Sequence, residues 1–436
     1  LFANTTADNN VAVGHLSLST NTTGTQNTAV GALALDANTT ASSNHAFGYG
    51  ALGANTTGSG NCAYGSFTLT ANTTASNNSG FGHNALAANT TGTFNVAVGS
   101  GALDANTTAN NNTAVGYASL SANTTGNLNV AVGSESLDAN TTGHSNNALG
   151  NSTLSANTTG DKNTAMGHAA LGTSTTADNN TAVGYAALFL NTTGAINTAV
   201  GVNALDSNTT GAENTAVGAG ALNSNTTASN NAAFGRNALA ANTTGVQNTS
   251  VGTGSLASCT TVDNNTAVGY FALLSATGRE NVALGANAGD AITSGINNIC
   301  IGFGSDPVSA TTDHSVTLGN SSISTLRCQV QTISSLSDAR DKTNIVDMED
   351  GLDLINLLKP RKFTWAMREP SANDGTTHLG FIAQELDEVL GDKNDYMHLV
   401  DKTNPDKLEA AYSRLIPILT KAVQELSTKV TALEAG

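Results

Sequence analysis

Apolar and polar positions along this chain return every 17 residues. Asn-Thr-Thr occurs at Asn4, Asn21, Asn38, Asn55, Asn72, Asn89, Asn106 and Asn123. It continues at Asn140, Asn157, Asn191, Asn208, Asn225 and Asn242, with Ser174 and Cys259 at the two places where the Asn is replaced. A second motif keeps step, as in Asn27-Thr-Ala-Val-Gly31, Asn95-Val-Ala-Val-Gly99, Asn163-Thr-Ala-Met-Gly167 and Asn265-Thr-Ala-Val-Gly269. A strict period of this size denotes a stacked solenoid in which each turn touches only its neighbours. One turn is too short for a helix pair, and its β-branched residues and glycines favour short strands. Each turn offers two strand-like pieces, around Thr-Ala-Val and around Ala-Leu-x-Ala. The Gly after Val is expected at one corner, where unusual φ/ψ is needed. Asn-Thr-Thr-Gly is expected at the other, since Asn tolerates the left-handed region. Stacking then aligns Val30, Phe47, Phe81, Val98 and Met166 in one apolar ladder. Leu35, Leu52, Leu69 and Leu86 form another.

Such a coil has a thin core. Each turn buries about two large side chains, worth roughly 1.5–3 kcal/mol apiece, while ordering its backbone costs on the order of 1 kcal/mol or more per residue. Three coils packed around an axis would repair the deficit, and the small Ala positions are expected to admit the second surface. Some eighteen turns at about 4.8 Å each give a rod roughly 85 Å long.

The pattern changes twice. Asn281-Val-Ala-Leu-Gly285 follows its predecessor by 16 residues, Asn298-Ile-Cys-Ile-Gly302 comes 17 later, and His314-Ser-Val-Thr-Leu-Gly319 is a degenerate copy. Residues 320–336 alternate polar and apolar (Val330, Ile333) and read as a short stem. The organisation is therefore a repeat shaft over 1–276, degenerate repeats and stem over 277–336, and a third domain over 337–436. In the third domain Tyr412, Ile416, Leu419, Val423, Leu426, Val430 and Leu433 alternate at spacings of four and three. That is the a/d seam of a coiled coil, and it does not choose between two and three strands. Pro417 puts the helix start nearby.

Composition narrows the function. Only 11% of residues are charged and 4% aromatic, against 45 glycines, too few large apolar groups for a conventional core of this length. The net charge of −16 excludes nucleic acid as a partner, because phosphate binding needs clustered Lys and Arg. Up to residue 276 the basic residues are Lys162 and Arg236, whereas twelve of the sixteen follow residue 336. Cys62, Cys259, Cys300 and Cys328 match no zinc or disulfide spacing. Cys62 and Cys300 replace Ala or Val in the repeat and are expected as small buried thiols. No apolar run is long enough to span a bilayer, so the chain is not expected to be membrane-embedded. Scattered His residues carry no metal-ligand pattern, and no cofactor is implied. The chain starts at Leu1 inside a repeat, so an N-terminal truncation is expected, with any attachment region lying before it.

Two resemblances add to this reading. The Asn-Val-Ala-Val-Gly unit resembles the Ser/Asn-Val-Ala-Ile-Gly repeat of trimeric adhesin heads, left-handed β-rolls that pack as trimers. It covers residues 1 to about 320, although this repeat is longer by two or three residues. From Ser337 on, five spaced motifs resemble the endosialidase-type intramolecular chaperone, the auto-processing domain of phage tail spikes. They are Ser337-Asp-Ala-Arg-Asp-Lys-Thr-Asn-Ile345, Gly351-Leu352, Lys359-Pro360 to Phe363-Thr-Trp365, Gly380-Phe-Ile-Ala-Gln-Glu385 and Tyr412-Ser-Arg-Leu-Ile-Pro-Ile-Leu419. This resemblance implies trimerisation, assistance in folding a β-structured fibre, and a single-turnover self-cleavage between Leu336 and Ser337. It makes Ser337 the nucleophile and Lys342 the base of a serine endopeptidase. Asp338, Arg340 and Asn344 are candidates for orienting the pair. His378 reads better as structural than catalytic, and Gln384 and Glu385 suit packing or subunit contact as well as catalysis.

Read from the residues alone, a serine hydroxyl needs a base before it attacks, and a neutral lysine can serve. Residues five apart share a face neither on a helix nor on a strand. Either the chain bends, or the partner comes from another protomer. The expected whole is a mostly β chain. A β-solenoid shaft, a parallel homotrimer, is followed by a small α+β chaperone domain ending in a coiled-coil helix. As an extracellular virion tail fibre it would bind a host cell-surface glycan or protein receptor. A bacterial cell-surface adhesin is less favoured, since those carry a membrane-embedded β-barrel anchor. An ice-binding solenoid is less favoured because adjacent Thr residues point to opposite faces. Asn-Thr-Thr is also a glycosylation sequon, which reads better here as a structural ladder.

Overall fold

The computed structural model describes residues 2–323, 325–327, 337–365, 376–406 and 408–436. Val330, Ile333, Leu336 and Cys328 lie outside them. The chain divides into two compact units, Leu1–Leu318 and Gly319–Gly436.

In the first unit every turn contributes one strand of three residues. Nineteen of these, β1 (Val11–Val13) to β19 (Val316–Leu318), stack into a single parallel sheet. The register is strict: Val11, Ala12 and Val13 pair with Thr28, Ala29 and Val30, and later turns repeat the pattern. Where the sequence step shortens to 16, Thr266 still pairs with Val282. The missing residue is taken from the corner, which reads Ala276-Thr277-Gly278.

Three expectations are corrected. First, Ala-Leu-x-Ala is not a second strand but part of a turn with one left-handed residue inside it and one just before it, as at Leu35 (φ 52°) and Leu33 (φ 60°). The left-handed region costs a residue with a Cβ about 1–2 kcal/mol. Here it drives Leu35 and its equivalents into the interior, where they are fully buried, a gain of roughly 1.5–3 kcal/mol each. Second, the corner Asn does not adopt the left-handed region; that conformation falls to Gln26, Ser43 and their equivalents. The Asn side chain is instead buried in a hydrogen-bonded ladder. Asn38 Nδ2 donates to Asn21 Oδ1 at 2.8 Å and to the Ala41 carbonyl at 3.1 Å. Third, the strand Ala faces inward and is fully buried, whereas Val98, Phe81 and Met166 face outward and are exposed. The interior already holds the Leu ladder, so the strand opposite carries only small residues there, Ala in most turns and Gly80, Ser250 or Cys300 in others. The surface left for a partner is the Val/Phe/Met column, not the Ala column.

Cys62 follows the same alternation and lies half-buried on the outer face, not inside, while Cys259 and Cys300 are buried. Burial pushes the Cys259 thiol up to about 12 and the Cys300 thiol up to about 11, so neither offers a reactive thiolate. Each Val is followed by a glycine that the stack requires. Gly116 has φ +142°, and a Cβ there would lie 2.3 Å from the Gly133 carbonyl oxygen of the next turn.

The Asn ladder breaks where the sequence does. Asn157 Oδ1 would accept from an Asn at 174, but Ser174 stands there, and both polar atoms are buried without a hydrogen-bond partner. Asn242 Oδ1 is orphaned likewise, because the Cys259 thiol turns to the Ala276 carbonyl at 2.8 Å. Such orphans cost about 1–3 kcal/mol apiece. Ser174→Asn is therefore expected to raise the thermal unfolding midpoint by restoring both bonds; an unchanged or lowered midpoint would contradict the ladder as a source of stability.

A column of aspartates follows the inward Leu at Asp36, Asp104, Asp138 and Asp206. Burial raises each carboxyl above its ordinary 3.8, against partial relief from backbone hydrogen bonds at the first three. A folded-state pKa above the unfolded one means that the contribution to stability is fully present below 3.8 and is lost as pH rises through the folded value. Replacing all four by Asn is thus expected to raise the unfolding midpoint at pH 7, with the gain shrinking towards pH 3.5. A gain that is equal at both pH values would show that the raised carboxyl pKa values are not linked to stability.

Candidate active site

The second unit begins its described part at Ser337. Asp338 caps a short 3-10 turn, Ala339–Asp341, by accepting the Arg340 amide at 2.9 Å. The same carboxylate holds the Arg340 guanidinium, with Nε at 3.0 and 3.1 Å and Nη2 at 2.5 Å. The turn closes when the Lys342 amide donates to the Ala339 carbonyl. Reversed by this turn, the chain brings the two ends of the motif together: Lys342 Nζ donates to Ser337 Oγ at 2.7 Å. A bend within one chain therefore brings residues five apart within reach. Both side chains are exposed.

Asp338 and Arg340 contact each other rather than the Ser–Lys pair. The Arg340 hydrogen bonds hold the Asp338 carboxyl below its ordinary range. Their role in the geometry is to build the turn, which positions the pair indirectly. Asn344 lies just beyond, in the left-handed region at φ 55°, and makes no side-chain hydrogen bond among the described residues.

The other singled-out residues lie on a small α+β body. Its helices are α1 (Leu352–Leu357), α2 (Ala383–Leu390), α3 (Asn394–Met397) and α4 (Leu415–Glu434). Its strands are β20 (Arg361–Thr364) paired antiparallel with β21 (Thr377–Gly380), and β22 (Val400–Asp401) paired with β23 (Glu409–Ala410). His378 on β21 sits among rings, 6.2 Å from Phe363 and 6.3 Å from Trp365, with Nε2 2.8 Å from Thr376 Oγ1. Glu385 on α2, beside Gln384, binds the Arg361 guanidinium, whose hydrogen bonds keep its carboxyl below the ordinary range.

Helix α4 carries two apolar faces. Ile416, Leu419, Val423, Leu426, Val430 and Leu433 are exposed, as a seam awaiting partner helices would be. Tyr412 leaves that seam: it lies in a 3-10 turn, and its hydroxyl accepts the Phe381 amide at 3.1 Å. A second face, Leu415, Ile418 and Ala422, is buried; Leu415 and Ile418 pack with Leu354 of α1 and Leu386 of α2. Sequence reasoning missed this face, although the apolar spacing 415, 418, 422 was there to be read. It also missed Glu425, which accepts the Leu352 amide at 2.8 Å and caps α1, whose own N-cap, Gly351, has no side chain.

Residues 337–394 match the Peptidase S74 family, described as chaperone of endosialidase. The match starts at Ser337, the donor-accepting member of the exposed pair. A viral protein, the uncharacterized protein VP1 of Micromonas pusilla reovirus, is 48% identical over 60 residues, which is 13% of this chain and 3% of the viral protein. This chain therefore spans a small fraction of that relative. No solved structure matches. The family match supports a self-cleaving, peptidase-like chaperone domain at the C-terminal end. With the β-solenoid shaft and the viral relative, it fits a phage tail fibre with a C-terminal chaperone.

Proposed function

We propose that this chain is a trimeric, receptor-binding virion fibre whose C-terminal domain drives assembly and then removes itself by one cut between Leu336 and Ser337. The observation carrying the cleavage reading is the 2.7 Å contact of Lys342 Nζ with Ser337 Oγ at the point where the chaperone family match begins. The trimer reading draws on two exposed apolar features: the outward Val/Phe/Met column of the shaft and the α4 seam.

In this reading the neutral Lys342 amine takes the Ser337 Oγ proton as that oxygen attacks the Leu336 carbonyl carbon. The Leu336–Ser337 C–N bond breaks, and the leaving nitrogen takes the proton back from Lys342. Leu336 is left as an ester on Ser337 Oγ. Water hydrolyses the ester to a Leu336 carboxylate and a free Ser337 hydroxyl. A lysine works as a base only when neutral, a form that burial favours. The pair is exposed in the single chain, so assembly is expected to cover it before the cut. That order would couple cleavage to completed folding.

An SDS gel of the purified full chain, with boiled and unboiled lanes, tests both halves. Unboiled, the shaft is expected to migrate as a trimer; boiled, as a shaft chain plus a fragment of about 100 residues. A monomeric, uncut chain in both lanes would overturn the proposal.

A further inference from the structure

The shaft carries a second period that the function above does not use. The residue after each corner glycine is exposed or half-exposed and varies in kind from turn to turn. Wherever the preceding corner ends in Thr-Thr-Ala, this position holds a ring or a guanidinium: His15, Tyr49, His83, Tyr117, Tyr185 and Arg236. Corners ending in Thr-Thr-Gly are followed by small residues at Ala32, Ser66, Ser100, Ser134 and Ala219; Asn151, His168 and Val202 depart from this, and His168 stacks on Tyr185 at 5.5 Å. From His15 to Tyr117 the rings recur every 34 residues, which is every second turn. Stacked strands lie about 4.8 Å apart, so the rings repeat about every 9.5 Å along the shaft.

The column concentrates aromatic surface. It holds four of the five shaft tyrosines, Tyr49, Tyr117, Tyr185 and Tyr270. Tyr49, Tyr117 and Tyr185 are 48%, 62% and 56% exposed. Phe67 bridges the gap between Tyr49 and His83 with edge contacts at 5.2 and 6.2 Å. Further along, a groove of about 600 Å³ runs beside the same column, past Val202, Ala219 and Arg236. Its lining adds the side chains of Asn203, Asn223 and Asn237, amides that donate to and accept from hydroxyl groups.

We infer that this column and its groove are a track for a linear, neutral polysaccharide lying parallel to the shaft. A sugar presents an apolar ring face to an aromatic side chain and hydroxyls to amides. Rings repeating at every second turn would meet equivalent faces of a chain that repeats every two sugars. Charge selects the class: residues 1–320 carry fourteen acidic and three basic side chains, a surface that repels polyuronates and other polyanions. The inference rests on the reading of the shaft as a receptor-binding fibre and gives it a site and a ligand class.

The test uses the full, assembled chain and β-1,4-linked gluco- and N-acetylglucosamine oligosaccharides of increasing length, with polygalacturonate as the anionic comparison. Binding of one neutral series is expected to tighten in steps of two sugars. The triple variant Tyr49→Ala/Tyr117→Ala/Tyr185→Ala is expected to lose at least tenfold in affinity, while polygalacturonate does not bind. Retained folding is checked by the SDS-resistant trimer band. Labelled fibre is also applied to a panel of bacterial cells. Wild-type binding to cells that the triple variant matches would overturn the track but leave the receptor-binding reading intact. No cell binding by the wild type would overturn that reading and the track with it. Preference for polygalacturonate would overturn the neutral class.

Discussion

Ser337→Ala is expected to assemble as the wild type does and to remain at full length, with no fragment of about 100 residues. The substitution deletes the hydroxyl that would attack the Leu336 carbonyl, and no other group is in place to replace it. Lys342→Ala is expected to give the same full-length product. The hydroxyl remains there, but its 2.7 Å neighbour is gone. Neither change should unsettle the fold, because both side chains are exposed and the local turn is held by Asp338 and Arg340. The residual rate should fall by several orders of magnitude, since unactivated amide attack has neither a base nor a proton donor for the leaving nitrogen. N-terminal sequencing of the wild-type fragment should begin at Ser337. Efficient cutting of Ser337→Ala would assign the cut to an outside protease. Heating adds a second readout: a cleaved shaft has lost its folding aid and unfolds from a kinetic trap, so the uncut variants should unfold at lower temperature.

Deleting residues 337–436 is expected to be as severe. The single coil has one fully buried Leu per turn, and its outward Val/Phe/Met column is exposed or half-buried. In the trimer proposed above, three such chains would have to start in register, and in-register pairing of identical turns is easily slipped by one repeat. In that proposal the exposed α4 seam would be the local clamp that sets the start. Without it the shaft should be recovered as insoluble material or monomer, with the SDS-resistant trimer band lost. Light scattering on a size-exclusion column decides this; a normal yield of soluble trimeric shaft would remove the need for a chaperone.

Much of this was legible because the repeat is strict. A 17-residue step with identical residues stacked can be satisfied only by laying each turn on the last, and the strands pair residue for residue as that demands. The heptad on α4 was legible for the same reason: one exposed seam follows from spacings of four and three. The exposed seam, however, shares its helix with the buried Leu415–Ile418–Ala422 face, and only packing against α1 and α2 separates the two. At the cleavage motif, Ser337 and Lys342 could be named by resemblance. Their distance could not, because it depends on a 3-10 turn whose signal was the Asp338 cap two residues before Arg340.

The sequence by itself determined the period, the parallel stacking and the Gly and Asn ladders. Periodicity alone specifies which residues lie above one another. The tertiary structure decided which side of the strand faces in. Thr-Ala-Val alternates, and the pattern is compatible with either face being buried. The choice is made by the adjoining turn, where left-handed Leu residues fill the interior and leave space only for small side chains opposite. That puts Ala inside and turns the Val/Phe/Met column to the surface, where it is free to meet another chain.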